Sequence, residues 1–535
     1  MKGNLYLIAI IGLLFFFFPT ANALQTWDGT ASEAWTNGSG TEADPYLIET
    51  PAHLKYLSAQ VAAGNTYEGV YFLQTDDLDL NSKMWTPIGT DTYKFAGVYD
   101  GGEKYISNIS VSRYGIFGIT NNVAITNLYI KGTYAASSNI STSAPLIGEA
   151  QGTTKISNCH NMANITENSV CAGLIATVSG ELINVYRTSN QSNIISNVSL
   201  AGGLIARVQC TKIVLNDCFN NGVLTISNSL GDGGYVKVTS GTVCAGGLVG
   251  EASEETAVTL LRCFNEGDIN TSVTIRNSTA GSFPQITITS HTAGLIGKCS
   301  QSMKGLLQEC YSIADFTAIT DWNGASYYSY KNKYMAGLVN GNCDIIGSYV
   351  RTGTNLVSTY SSSSYIYVTV SAALLGGTIS ESCYAIGNGD ISTEGSSVYH
   401  TSNTSTGGIY KSDVAFKVPS MISLLNTIDE FFTIDLEGIN DGYPILKWQV
   451  GKRYNINATC DATRGTVKGG GEYAFGNTVT LTATPKSGCT FIGWSDGNTD
   501  NPRTVTVEGD ATYIAQFTKS AYTIYVNQDG TSYIE

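Results

Sequence analysis

Gly246-Gly247-Leu248-Val249-Gly250 is one copy of a glycine-rich apolar phrase that recurs along most of the 535-residue chain. Other copies are Gly115-Ile116-Phe117-Gly118, Ala172-Gly173-Leu174-Ile175, Gly202-Gly203-Leu204-Ile205, Ala293-Gly294-Leu295-Ile296-Gly297, Ala336-Gly337-Leu338-Val339 and Gly407-Gly408-Ile409. Weaker ones sit at Leu146-Ile147-Gly148 and Leu374-Leu375-Gly376. From Leu146 onward the shared Leu/Ile positions are 28, 30, 44, 47, 43, 36 and 35 residues apart.

A second phrase alternates with the first. It reads Ile156-Ser157-Asn158-Cys159-His160-Asn161, then Leu215-Asn216-Asp217-Cys218-Phe219-Asn220, then Leu261-Arg262-Cys263-Phe264-Asn265. It returns around Cys310-Tyr311 and Cys383-Tyr384. Each unit therefore holds short strands punctuated by turn residues, too short and too strictly alternating for helical repeats. Such a unit cannot bury its own apolar face. Stacking the units at strand spacing closes a continuous core, with Leu on Leu and Cys on Cys. About ten coils would make a rod roughly 50 Å long. Propeller blades keep a steadier period, so the scatter in spacing disfavours them. Cys159, Cys218, Cys263, Cys310 and Cys383 share one repeat position and read as a ladder of buried, free thiols rather than a disulfide framework.

Composition narrows the class. The formal charge is −14, charged residues make up only 13 %, and Gly and Tyr are abundant, which excludes a nucleic-acid partner. Lys2, the apolar run Leu5–Phe18, Pro19 and Ala21-Asn22-Ala23 have the form of a cleavable export signal over residues 1–23. No later run is long and apolar enough to span a bilayer, so the expected product is a secreted or cell-surface monomer with no transmembrane segment.

The two alternating phrases resemble those of the GLUG-motif proteins, exported bacterial proteins with right-handed β-helices. The resemblance covers about residues 26–450. It includes the opening Gly38-Ser39-Gly40-Thr41 and Asp44-Pro45-Tyr46, and closes at Gly442-Tyr443-Pro444 and Trp448. It implies an all-β fold, a right-handed parallel β-helix (solenoid), in a Bacteroidota-like bacterium. An N-terminal helical cap is expected over 24–66, with Thr50 as N-cap, Pro51 in the first turn, and Leu54, Leu57 and Val61 on one face. The β-helix itself is assigned to 67–412 and a C-terminal cap, with a short helix at Pro419–Leu425, to 413–450. Residues 451–518 resemble a divergent InlB B-repeat, a small β-grasp-like module with Tyr473, Phe491, Trp494 and Phe517 as its core. Residues 519–535 read as a tail or the first strand of a truncated further copy. No sortase motif follows, so the chain is expected to be either truncated or released.

Catalytic signals are weak. His53, His160, His291 and His400 have no partner spacing, and there is no His-Glu-x-x-His, Gly-x-Ser-x-Gly or Cys-x-x-Cys. No cofactor and no metal are expected. Asp77 and Asp79 could share a strand face and point together at a calcium ion or a glycosidic bond, but the resemblance implies that this stretch is the first coil's strand and turn. The candidate ligand-binding residues are aromatic: Trp322, Tyr327, Tyr328, Tyr330 and Tyr334 on one long loop, with Tyr360, Tyr365 and Tyr367 on its neighbour. Flat rings beside Ser and Asn suit a glycan or an extracellular protein ligand. The function expected is therefore a non-catalytic, adhesin-like binding protein. A polysaccharide lyase or hydrolase of the β-helix class is the first alternative, and a structural surface spacer the second.

Overall fold

The computed structural model describes residues 25–535 except 137–141, 168–169, 198, 231–239, 254, 277–285, 300–303, 324–327, 340–342, 352–353, 359–364, 374–377, 382, 387–397, 406–408, 412, 427–429, 436–439, 441, 451–452, 475–477, 508–510, 520–523, 527–528, 530–531 and 535. The export signal expected over 1–23 lies outside them.

The repeat winds into a parallel β-helix. One coil runs through Ile175–Tyr186, Ser189–Asn190, Ile194–Ser196 and Leu200–Gly202. The next repeats it through Ile205–Asn216, Phe219–Asn220, Leu224–Leu230 and Ser240–Gly246. Every pairing between them is parallel and in phase: Ile175 faces Ile205, Ser189 faces Phe219, Ile194 faces Leu224 and Leu200 faces Cys244. Leu146, Leu174, Leu204, Leu248, Leu295 and Leu338 are all buried in one continuous core. Each removes a whole side chain from water, worth roughly 2 kcal/mol.

The two recurring phrases meet in space. A Cβ on Gly203 would lie 1.8 Å from the Gly247 carbonyl oxygen and 2.7 Å from Cγ of Asn220. One on Gly247 would lie 2.0 Å from the Gly294 oxygen and 2.4 Å from Cγ of Asn265. The glycine of the first phrase thus leaves the space that the asparagine of the second phrase fills. Freed in this way, the asparagines form a buried ladder. Asn161 Nδ2 donates to Asn190 Oδ1, Asn190 to Asn220 and Asn220 to Asn265, each at 2.7 Å. Every rung also donates to a backbone carbonyl two residues on, as Asn220 does to Gly222 at 2.8 Å. These amides are therefore satisfied in a dry interior, where an unpaired one would be costly.

The corner that precedes Cys159, Cys218, Cys263 and Cys310, and Thr188 in the coil between, is left-handed at Asn158, Arg187, Asp217, Arg262 and Glu309, with φ between 46° and 56°. The stacked corners alternate in charge from Arg187 to Glu309, and Arg262 Nε donates to Asp217 Oδ1 at 2.7 Å. Cys159, Cys218, Cys263, Cys310 and Cys383 are buried and form no disulfide, as expected. Cys218 Sγ donates to carbonyls at 3.3 and 3.5 Å, and burial pushes the Cys159 thiol up to about 12.

The front of the rod is closed by the helix Pro51–Ala62, with the Thr50 hydroxyl accepting from His53 N and Leu54, Leu57 and Val61 buried. The segment expected as a C-terminal cap over 413–450 also packs against the side of the rod. The helix Pro419–Leu425 forms as anticipated, but the described residues beyond it run back along the flank. Phe432, Tyr443 and Leu446 pack on Phe264, Tyr311, Tyr349 and Tyr384, side chains that belong to four different coils. The reason is chemical: the second phrase puts an aromatic on the outer surface of successive coils from Phe219 to Tyr384, and that apolar stripe must be covered.

The C-terminal module forms two small sheets, one of them holding Arg453–Cys460, Gly471–Ala474, Cys489–Trp494 and Ala511–Lys519. Trp494 and Phe517 are buried in its core, with Tyr473 and Phe491 packed against them. Ile524–Val526 and Ser532–Ile534 form a hairpin in the tail.

Candidate ligand-binding faces

Much of the length expected as long loops is paired strand. The extra residues of these coils lengthen two parallel sheets, and this double-sheeted region is the fin. One sheet holds Leu224–Leu230, Ile269–Arg276, Phe316–Asn323 and Thr354–Ser358. The other holds Ser240–Gly246, Ile286–Ala293, Tyr328–Ala336, Tyr365–Ala373 and Val398–Ser405. Alternating Thr and β-branched residues, as in Ile286-Thr287-Ile288-Thr289, favour pleated strands over turns. Between the sheets lies a polar seam in which Thr271 Oγ1 sits 3.1 Å from Ser290 Oγ and 3.2 Å from Thr292 Oγ1.

The candidate aromatics are redistributed by this geometry. Tyr328 pairs in register with Tyr365. Tyr330 pairs with Tyr367, and Tyr367 with Tyr399, a row that sequence reading did not assemble. Tyr334 aligns with His291 and Ser371. Tyr328, Tyr330 and Tyr334 occupy alternate positions of one strand. Trp322 is in the other sheet, in register with Ile275, so it does not join the tyrosine rows. Tyr327 and Tyr360 lie outside the described residues.

The acidic candidates serve structure. Asp77 accepts from Tyr105 N at 2.9 Å, and Asp79 accepts from Asn81 N at 2.7 Å and Asn108 Nδ2 at 2.9 Å. Among the described residues no group of three or more His, Cys, Asp or Glu side chains could hold a metal ion.

Two further aromatic groups stand out. On the flank, Phe219, Phe264, Tyr311 and Tyr349 stack nearly parallel, with successive centroids 4.9, 4.8 and 5.0 Å apart. Trp448 covers Phe219 and Phe264, and its Nε1 donates to the Arg262 carbonyl at 3.2 Å. Tyr349 donates to the Pro444 carbonyl at 2.5 Å, and Tyr311 donates to Glu266 at 2.6 Å while accepting from Gln449. Burial raises the Glu266 carboxyl to about 7, against the lowering effect of the Tyr311 bond and with the Asp435 carboxylate adding to the rise.

At the front, Trp35 is ringed by Tyr46, Tyr56 and Tyr67 at centroid distances of 5.0, 5.0 and 6.1 Å. All four are half-buried. Sequence reasoning missed this group because its members share no period and come from a loop, a strand, a helix and a turn.

Comparison with known proteins adds three findings. Residues 454–521 match the family model of the divergent InlB B-repeat domain. A curated protein of Evansella cellulosilytica, provisionally named a Gly-rich membrane protein, is 29% identical over 141 residues. That match spans 24% of this chain and only 15% of the relative. A Bacteroides ovatus crystal structure, provisionally an immunoglobulin A1 protease, aligns over 77% of this chain and 95% of its own at 14% identity and TM-score 0.36. Among the described residues no helix is long and apolar enough to cross a membrane.

Proposed function

We propose that this chain is an exported, non-catalytic binding protein of the bacterial surface, with GLUG-type coils presenting a ligand-binding fin. The observation that carries the reading is the register of the fin: Tyr328 with Tyr365, and Tyr330 with Tyr367 and Tyr399, in rows at strand spacing. Tyrosines repeated in register among Thr, Ser and Asn would supply flat apolar faces with polar rims, the chemistry of glycan and protein recognition. The divergent InlB B-repeat and a relative whose name describes a membrane protein support a surface location.

The test is an array of glycans and extracellular-matrix proteins probed with the mature chain. Replacing Tyr328, Tyr330 and Tyr367 with Ala should weaken a hit by about 1 kcal/mol per ring while thermal stability is held. Product release from pectins, alginates or glycosaminoglycans would overturn the reading in favour of an enzyme. A melting drop with undiminished binding would make these tyrosines structural.

A further inference from the structure

The N-terminal cap contains aromatics of two kinds. Trp27, Phe72, Trp85, Phe95 and Phe117 are buried, and both indole nitrogens among them are bonded: Trp27 Nε1 to Ala31 O at 2.9 Å, Trp85 Nε1 to Ile116 O at 3.1 Å. Trp35, Tyr46, Tyr56 and Tyr67 form the other kind. Among the described residues neither the Trp35 indole N–H nor the hydroxyl of Tyr46, Tyr56 or Tyr67 has a hydrogen-bond partner, and none is sealed from solvent. The phenols converge, since Tyr56 and Tyr46 lie close enough to reinforce the effect of burial on Tyr67, whose hydroxyl is pushed up to about 12.

The backbone holds the group together under strain. Tyr67 sits at φ 60°, a left-handed conformation that an aromatic residue rarely adopts without support. Its ring is locked edge-on against Trp35 and against Phe72 at 5.2 Å. The Tyr46 ring lies over Gly40, where a Cβ would come within 2.5 Å of it. These rings are therefore fixed in place, so a ligand would meet pre-ordered side chains.

We propose that Trp35, Tyr46, Tyr56 and Tyr67 form a second binding site, at the capped end of the rod, for a neutral saccharide. Aromatic faces accept the C–H face of a pyranose, and the unpaired N–H and O–H groups meet its hydroxyls. Charge selects the class. Residues 26–70 carry Asp28, Glu33, Glu42, Asp44, Glu49 and Glu68 against the single cation Lys55, which disfavours uronic, sialic or sulfated sugars.

The test uses the mature chain and a panel of neutral oligosaccharides (cello-, malto-, xylo-, manno- and N-acetylglucosamine oligomers) by calorimetry and ligand-observed NMR. At least one should bind. The triple Tyr46→Phe, Tyr56→Phe, Tyr67→Phe keeps every ring and should weaken that binding at least tenfold with melting unchanged. Trp35→Phe should weaken it and remove the ligand-induced change in tryptophan emission. Alanine changes at Tyr328, Tyr330 and Tyr367 should leave this binding intact, which separates failure here from failure of the fin. No binding by the parent, equal binding by the triple variant, or binding lost only with the fin tyrosines would each overturn the proposal.

Discussion

The flank stack and the cap group are both built from tryptophan and tyrosine, yet they are finished in opposite ways. On the flank, Tyr311 and Tyr349 are completely buried, and each hydroxyl is engaged by the returning segment. At the cap, the rings pack on one another, and among the described residues their polar tips have no hydrogen-bond partner. A phenol is amphipathic, so its burial makes sense structurally only when the hydroxyl is satisfied. The flank meets that condition within the chain, whereas the cap leaves its polar tips to solvent or a ligand. Hydrogen-bond closure, rather than aromatic content, is what separates a structural cluster from a candidate site in this molecule.

The largest effect expected from breaking the contrast is on the flank. Phe264→Ala removes a ring stacked on both Phe219 and Tyr311 and covered by Trp448. It should cost about 3–5 kcal/mol in denaturant unfolding. A cost below 1 kcal/mol would mean the stack carries no stability.

The asparagine ladder comes next. Asn220→Ala takes the acceptor from Asn190 and the donor from Asn265 and Gly222. Stability should fall by about 2 kcal/mol, because buried amide groups are then stranded. Equal stability of the two proteins in urea titrations would refute the ladder's role.

The smallest effect sharpens how the flank is closed. Glu266 lies beneath the returning segment, bonded to Tyr311 and facing Tyr349 and Asp435. Its carboxyl is raised from an ordinary 4.5 to about 7 in the docked state, so docking favours the protonated form. The sign follows directly. Docking is strongest below pH 4.5, weakens as pH rises from 4.5 towards 7, and levels off above that. Hydrogen exchange of residues 431–450 should therefore be faster at pH 8 than at pH 5 once corrected for intrinsic rates. Glu266→Gln should flatten the difference, and an unchanged pH response in that variant would remove Glu266 from the account.

The sequence by itself determined the solenoid. A phrase such as Gly246-Gly247-Leu248-Val249-Gly250 can bury its leucine only against its own copies, so repetition dictates stacking. It also determined the Thr50–Pro51 helix start, the free cysteine ladder and the aromatic core of the C-terminal module, because each depends on local chemistry or on a fixed period. Tertiary structure alone decided the rest. Apolar and polar alternation reads the same in a loop tip and in a strand that lacks a visible partner. The fin therefore emerged only when Tyr330, Tyr367 and Tyr399 were placed side by side. The segment after residue 413 could be recognised as a terminator but not aimed, since its target is a stripe assembled from Phe264, Tyr311, Tyr349 and Tyr384 on separate coils. Trp35, Tyr46, Tyr56 and Tyr67 became a group for the same reason: non-periodic residues acquire neighbours only when the chain folds back on itself.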